Sequence, residues 1–205
     1  MNKTHYLSVP FLPNDLEVLE IGDLVFLSGE IIVTVGLPTH ERMRDYLVSG
    51  WALPMNFENS MLCQVGCYVE EKNGIMQSRY INPSTSTRFE PYLPEIIEGT
   101  GIKAVGGKGG VGPKTIKAMK EHGCIYLSFI GGASALTSDA VKEVLDIKWN
   151  DFIMQFRLIK LRIEKLGPLN VGVDIKGNCL YTDLQAQAQE NFEDLMEELN
   201  QNRRV

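Results

Sequence analysis

The chain has 205 residues, 44% of them hydrophobic, a length that supports one sizeable core. Its formal net charge of −6 carries no global nucleic-acid footprint. No apolar run reaches the roughly 18 residues of a membrane-crossing helix, and the polar start, Met1 to Pro10, has no signal-type apolar core. A cytoplasmic protein with no membrane or nucleic-acid partner is the expectation.

Leu24 to Val35 is rich in β-branched and aromatic residues with Gly29 in its middle, which predicts one bulged strand or two strands. Thr39 predicts the cap of a helix over His40–Val48, with Met43, Leu47 and Val48 inward and Gly50 ending it. Leu62–Glu70 and Ile75–Ile81 flank Lys72-Asn73-Gly74, which marks a hairpin. Thr85 to Thr87 then precedes a short helical pattern, broken by Pro91 and Pro94 and closed by Gly99. Ile102–Gly106 predicts a short strand. Pro113 suits the first turn of a helix and Gly123 its end, with Ile116 and Met119 on one side.

Cys124–Ile130 reads as a further strand, ended by Gly131-Gly132. Thr137 or Ser138 is expected to cap a helix carrying Val141, Val144 and Leu145. Phe152–Ile163 and Leu169–Tyr181 predict strands separated by Gly167-Pro168, with a turn at Lys176-Gly177-Asn178. An amphipathic helix over Gln187–Asn200 carries Phe192, Leu195, Met196 and Leu199 at helical spacing. Strands and helices mix throughout one domain over residues 1–205, so the class is α/β.

Three stretches carry chemistry. In Val105-Gly-Gly-Lys-Gly-Gly-Val-Gly-Pro113, Lys108 stands among five glycines just before a helix signal. Absent Cβ atoms allow close approach, and backbone N–H groups with an ammonium suit an anion. Gly107, Gly109 and Gly112 also satisfy a dinucleotide fingerprint, but lysine fills its second position and no acidic residue follows at a convincing spacing. Lys108 likewise has the wrong spacing for a P-loop.

In Asn82-Pro-Ser-Thr-Ser-Thr-Arg88, four hydroxyl residues precede an arginine. That set suits a carboxylate at a helix start, or is an ordinary capped turn with Arg88 solvated. His40 stands near a helix start, either to bind or relay a proton or as a surface or hydrogen-bonded histidine. Four cysteines, with no C-x-x-C pair, read as buried and reduced, and three histidines give no support to a metal site on this chain.

Several motifs in order carry a resemblance. They are Gly22-Asp-Leu-Val-Phe-Leu-Ser-Gly29, a helix with His40 and Arg42, Pro83-Ser84-Thr85-x-x-Arg88, Gly107-Lys108-Gly109-Gly110, Gly167-Pro168-Leu169, and Asp174-x-x-Gly177-Asn178. Together they resemble the β subunit, or C-terminal domain, of class I fumarate hydratase and L(+)-tartrate dehydratase. The resemblance implies a swivelling three-layer β/β/α domain. It implies no cofactor on this chain, a separate α subunit bearing a four-iron iron–sulfur cluster, and hetero-oligomeric self-association. The implied reaction adds or removes water at a C4 dicarboxylate between the two subunits.

By the same resemblance, Ser84 falls where the family has a threonine proposed as catalytic base. Thr85 matches a second hydroxyl position, and Arg88 and Lys108 match groups that grip a substrate carboxylate. A hydroxyl is a weak base unless cations stabilise its alkoxide, which Arg88 and Lys108 suit. One departure stands out: the family reads Thr-x-Arg-Asp before the histidine, where this chain has Thr34-Val35-Gly36-Leu37. The substrate then differs, another group such as Arg42 holds the carboxylate, or the chain is a non-catalytic dicarboxylate-binding or regulatory paralogue.

Overall fold

The computed structural model describes residues 2–203 and gives a mixed α/β architecture. Strand β1 (Thr4–Val9) lies parallel to β2 (Leu24–Val33). The strand at Thr4–Val9 had no sequence signal beyond its polarity. It is held by Asp23, whose carboxylate accepts from the Lys3 N–H (2.8 Å) and the Glu20 N–H (3.2 Å) and meets His5 Nε2 at 2.9 Å. Burial raises the Asp23 pKa, but these hydrogen bonds and His5 outweigh it and leave the carboxyl below its usual range.

Helix α1 (Leu37–Val48) starts earlier than the sequence predicts, with Gly36 at its N-cap and Pro38 in the first turn. Thr39 is not the cap: it lies inside the helix, and its hydroxyl donates to the Phe156 carbonyl. Met43 is buried, but Val48 is 75% exposed, so it does not face inward. Strand β3 (Met61–Cys63) is separate from the hairpin β4 (Val65–Lys72) and β5 (Ile75–Pro83), whose turn is Asn73-Gly74 with φ of 55° and 79°. Those angles suit the type I′ turn that Asn-Gly favours.

A 3₁₀ turn (Ser86–Phe89) leads to α2 (Leu93–Thr100), closed by a left-handed Gly101, not by Gly99. Strand β6 (Ala104–Gly107), helix α3 (Pro113–His122) with left-handed Gly123, and β7 (Ile125–Ser128) follow as predicted. After the five-residue α4 (Ser134–Ser138), the expected helix carrying Val141, Val144 and Leu145 is instead strand β8 (Val141–Lys148). The physical reason is pairing: β8 adds antiparallel to β9 (Leu158–Val173) at the sheet edge, which satisfies its backbone on one side.

β9 runs unbroken through Gly167-Pro168. It starts at Leu158 because residues Met154–Phe156 form a second 3₁₀ turn. It ends at Val173 because Asp174 locks a turn, accepting from the N–H groups of Lys176 (2.9 Å) and Asn178 (3.0 Å). The last helix, α5 (Leu180–Asn202), begins inside the stretch expected to be a strand.

The large sheet has seven strands in the order β1-β2-β3-β6-β7-β9-β8, and β2 also pairs with β9. Because β9 pairs with both β7 and β2, the strands β2, β3, β6, β7 and β9 form a closed ring. Helices α1, α2 and α3 cover one apolar cluster, which includes Leu62, Val105 and Met119. The second cluster joins the other strand face to hairpin residues Val65, Cys67, Val69 and Ile81. A hairpin layer, a sheet layer and a helix layer result, which is the expected class. Among the described residues no helix is long and apolar enough to cross a membrane.

Candidate functional site

The candidate site is built where β3, β5 and β6 end side by side. Cys63 precedes Gln64, whose N–H donates to the Gly106 carbonyl (2.6 Å) and whose carbonyl accepts from the Ser84 N–H (2.8 Å). The Lys108 N–H donates to the Ser84 carbonyl, and the Ser86 N–H to the Lys108 carbonyl, each at 2.9 Å. Thr85 and Lys108 therefore form a parallel bridge, although 23 positions separate them (108 minus 85). Backbone bonds bring the two sequence motifs into one frame, independent of their side chains.

Ser84, Thr85, Arg88 and Lys108 all line one open cleft of about 310 Å³ between this frame and the hairpin. The opposite wall carries Tyr68 and Tyr80, stacked at 5.7 Å, with Asn82 and Gln155 beside them. Among the described residues neither Arg88 nor Lys108 forms an ion pair. The chain carries a net charge of −6, yet the charged side chains of this cleft are both cations. A half-buried ammonium and a guanidinium with free donors fit a carboxylate or another small anion.

The glycines of the loop have a different role from the one the sequence suggests. A Cβ on Gly107 would collide with the Ser86 hydroxyl, one on Gly110 would lie 2.8 Å from the Tyr181 ring, and one on Gly112 would lie 2.5 Å from the Glu90 carboxyl carbon. These three are filled by protein, not left open for a ligand. Gly109 and Gly110 both have φ of 77°, where glycine avoids steric cost. The Ser86 hydroxyl meets the Tyr126 hydroxyl at 2.9 Å, and Ser128 meets that of Tyr181 at 2.6 Å, so two tyrosines back the loop.

His40 is fully buried and stacked on Phe89 at 4.1 Å, not on the surface. Its Nδ1 lies 2.7 Å from the Gly36 carbonyl, which only accepts, so Nδ1 carries the proton. Burial pushes its pKa down to about 4, partly offset by that bond. Among the described residues Nε2 has no partner, and neither does either amide atom of the buried Gln64, which lies beside Gly107.

Arg42 does not replace the missing family arginine. Its guanidinium makes a two-pronged pair with Asp151 (3.0 and 2.6 Å) and lies 3.8 Å from the Phe152 ring centroid. It is absent from the cleft lining. Gly36 has no room for a side chain, because a Cβ there would lie 2.8 Å from that of Phe156. The 3₁₀ turn at 154–156 occupies that space, and Gln155 faces the cleft instead.

All four cysteines are buried. Burial raises the Cys63 thiol strongly, and the Cys124 thiol to about 12. Only Cys67 reaches the cleft, its thiol pushed up by burial to about 11 and 3.3 Å from the Ser78 hydroxyl. An iron–sulfur cluster needs several thiolates, so this chain's donor set does not fit one.

Tyr68, Tyr80 and Gln155 had no mark in the sequence reading. A strict two-residue hairpin would pair Tyr68 with Arg79, but a bulge at Tyr68/Val69 shifts its partner to Tyr80. Only an aromatic on each hairpin arm hinted at the pair.

A sequence profile described as "Fumarase C-terminus" matches residues 4–184, and the chain belongs to that family. It is 30% identical over 183 residues to a Methanocaldococcus jannaschii protein provisionally named L(+)-tartrate dehydratase subunit beta, covering 89% of this chain and 93% of that one. It is 28% identical over 193 residues to the L(+)-tartrate dehydratase subunit beta of Escherichia coli K12, covering 94% of each. A Geobacillus stearothermophilus protein provisionally named as a class I fumarate hydratase is 31% identical over 192 residues. The match covers 93% of this chain but only 36% of that protein.

Proposed function

We propose that this chain is the β-type subunit of a hydro-lyase that reversibly adds or removes water at a C4 dicarboxylate. The observation that carries the reading is the convergence of Ser84, Thr85, Arg88 and Lys108 on one open cleft whose two cations lack acidic partners among the described residues. Lys108 and Arg88 grip a substrate carboxylate. The Ser84 hydroxyl first gives its proton to solvent, and the resulting alkoxide takes the proton from the carbon next to that carboxylate and returns it in the reverse direction. The two nearby cations lower the cost of that alkoxide. Thr85 supplies a second hydroxyl toward the substrate. An iron–sulfur cluster held by a second subunit would complete the site and would supply Lewis-acid chemistry to the departing hydroxyl. The openness of the cleft and the family's two-subunit names support that division.

The test is anaerobic reconstitution with the chain encoded beside it, followed by hydration of fumarate and dehydration of malate and tartrate. Turnover of at least one diacid is expected, and no turnover of any sinks the proposal. A second reading, a non-catalytic dicarboxylate-binding paralogue, is favoured by Gly36, where the family's arginine has no room. Calorimetry separates the two: tight diacid binding by the isolated chain supports the second reading, because half a site binds weakly.

A further inference from the structure

We propose that Glu90 is a positioning residue that fixes the Lys108 loop against the Arg88 turn. The inference rests on the carboxylate-gripping reading of the cleft for its functional consequence. Glu90 follows the 3₁₀ turn that holds Arg88. Its carboxylate reaches across to the start of α3, just past the glycine loop. Oε2 accepts from the Gly112 N–H (2.8 Å) and the Thr115 hydroxyl (2.6 Å). Oε1 accepts from the N–H groups of Lys114 (3.0 Å) and Thr115 (3.1 Å).

Three of these four donors are the unpaired N–H groups of a helix start, where a negative charge is most favourable. Helix α3 has no cap of its own, since its N-cap is Gly112 and offers no side chain. The capping charge comes instead from the segment that carries Arg88. Segments 84–90 and 108–115 are thus joined at two points. Backbone bonds join Ser84 and Ser86 to Lys108 at one point, and Glu90 joins Gly112, Lys114 and Thr115 at the other.

Arg88 and residues 109–111 lie between the two ties. Without the Glu90 tie the loop keeps its anchor at Lys108 but loses the link from Gly112 to the segment that carries Arg88. Gly112 is glycine because the carboxylate packs against it: a Cβ would lie 2.5 to 2.8 Å from three Glu90 atoms. Glu90, which is not among the residues lining the cleft, therefore braces residues 109–112 against the segment that carries Arg88.

Glu90→Gln keeps the side-chain volume but replaces one acceptor oxygen with an NH₂ group. Whichever way the amide turns, at least one backbone N–H loses its acceptor. In the reconstituted enzyme, KM for the diacid is expected to rise about tenfold while the melting temperature stays within a few degrees. Thr115→Val, which removes only the hydroxyl bond, should raise KM about two- to threefold. A role limited to capping α3 lowers the melting temperature and leaves KM alone, so KM within twofold of wild type in both variants overturns the proposal.

Amide hydrogen exchange on the chain alone gives a readout independent of turnover. Glu90→Gln should speed exchange at residues 109–112 about tenfold and leave 104–106 unchanged. Equal exchange across both segments overturns the positioning role whether or not any diacid reacts. A wild-type pair that turns over no diacid, together with faster loop exchange in the variant, removes the hydro-lyase reading and leaves the Glu90 tie standing.

Discussion

Lys108 concentrates the functional argument at the scale of the residue. Its backbone is fixed by two 2.9 Å bonds to the Ser84–Ser86 segment, so its side chain can change without moving the frame. Lys108→Ala is expected to lower kcat/KM of the reconstituted enzyme by about 10²- to 10³-fold, with a stability change within about 1 kcal/mol by urea unfolding. Full activity in that variant removes Lys108 from the site. His40 makes a separate prediction. Its folded pKa, about 4, lies below the ordinary 6.5, so the unfolded chain binds more protons between those values. Stability contributed by neutral His40 is fully present above pH 6.5 and falls as pH drops toward 4, by up to about 3 kcal/mol. His40→Asn keeps a donor for the Gly36 carbonyl but cannot titrate there. Its urea midpoint should change less than that of wild type between pH 7 and 5, and equal changes exclude His40 as the cause. The sequence placed His40 near a helix start but left its burial open, because a single histidine reads the same on either face. Glu90 was illegible for another reason: its partners lie 22 to 25 positions away.

Elements explain which parts of the chain could be read in advance. Asn73-Gly74 and the Pro113/Gly123 pair were legible because each meets a local backbone demand: φ of 55° and 79° at the turn, and a proline start with a left-handed glycine end at α3. The 141–148 segment was not, since Val141, Val144 and Leu145 match helical spacing while the β-branched Val141, Val144 and Ile147 suit a strand. Pairing with β9 decided it, and β9 is a distant partner. The glycine loop is legible as special, but packing against protein accounts for Gly107, Gly110 and Gly112. These three glycines admit Ser86, Tyr181 and Glu90, so that part of the loop is a packed joint between elements. Gly107→Ala tests that view. A methyl group there meets the Ser86 hydroxyl and should cost about 1–3 kcal/mol as overpacking, read by urea unfolding. A neutral substitution would mean that the space is free for ligand.

The whole molecule places its cations and its last helix in ways that net composition hides. Direct parallel pairing of β3 with β6 sets their ends side by side, and the hairpin then supplies the second wall of the cleft. Net charge could not reveal this, because the acidic residues lie outside the cleft. Six of them, Asp183, Glu190, Glu193, Asp194, Glu197 and Glu198, lie on α5, which has no lysine or arginine between Leu180 and Asn202. Its apolar spacing was legible, but an amphipathic pattern does not say whether the stripe is covered within the chain. Here Leu180 and Tyr181 are half-buried, and every residue from Thr182 to Arg203 is exposed, including Phe192, Leu195 and Leu199. The Tyr181 hydroxyl and ring reach Ser128 and Tyr126, so only the first turn of α5 is tied to the domain. The family match ends at residue 184, close to where burial ends. A chain truncated after Leu184 loses no buried side chain but keeps Tyr181 against Gly110. Its melting temperature by calorimetry should therefore stay within about 3 °C of the full chain, since exposed side chains contribute little to folding. The helical signal by circular dichroism should fall by the α5 share. A larger drop in melting temperature would mean that the exposed stripe is buried in solution.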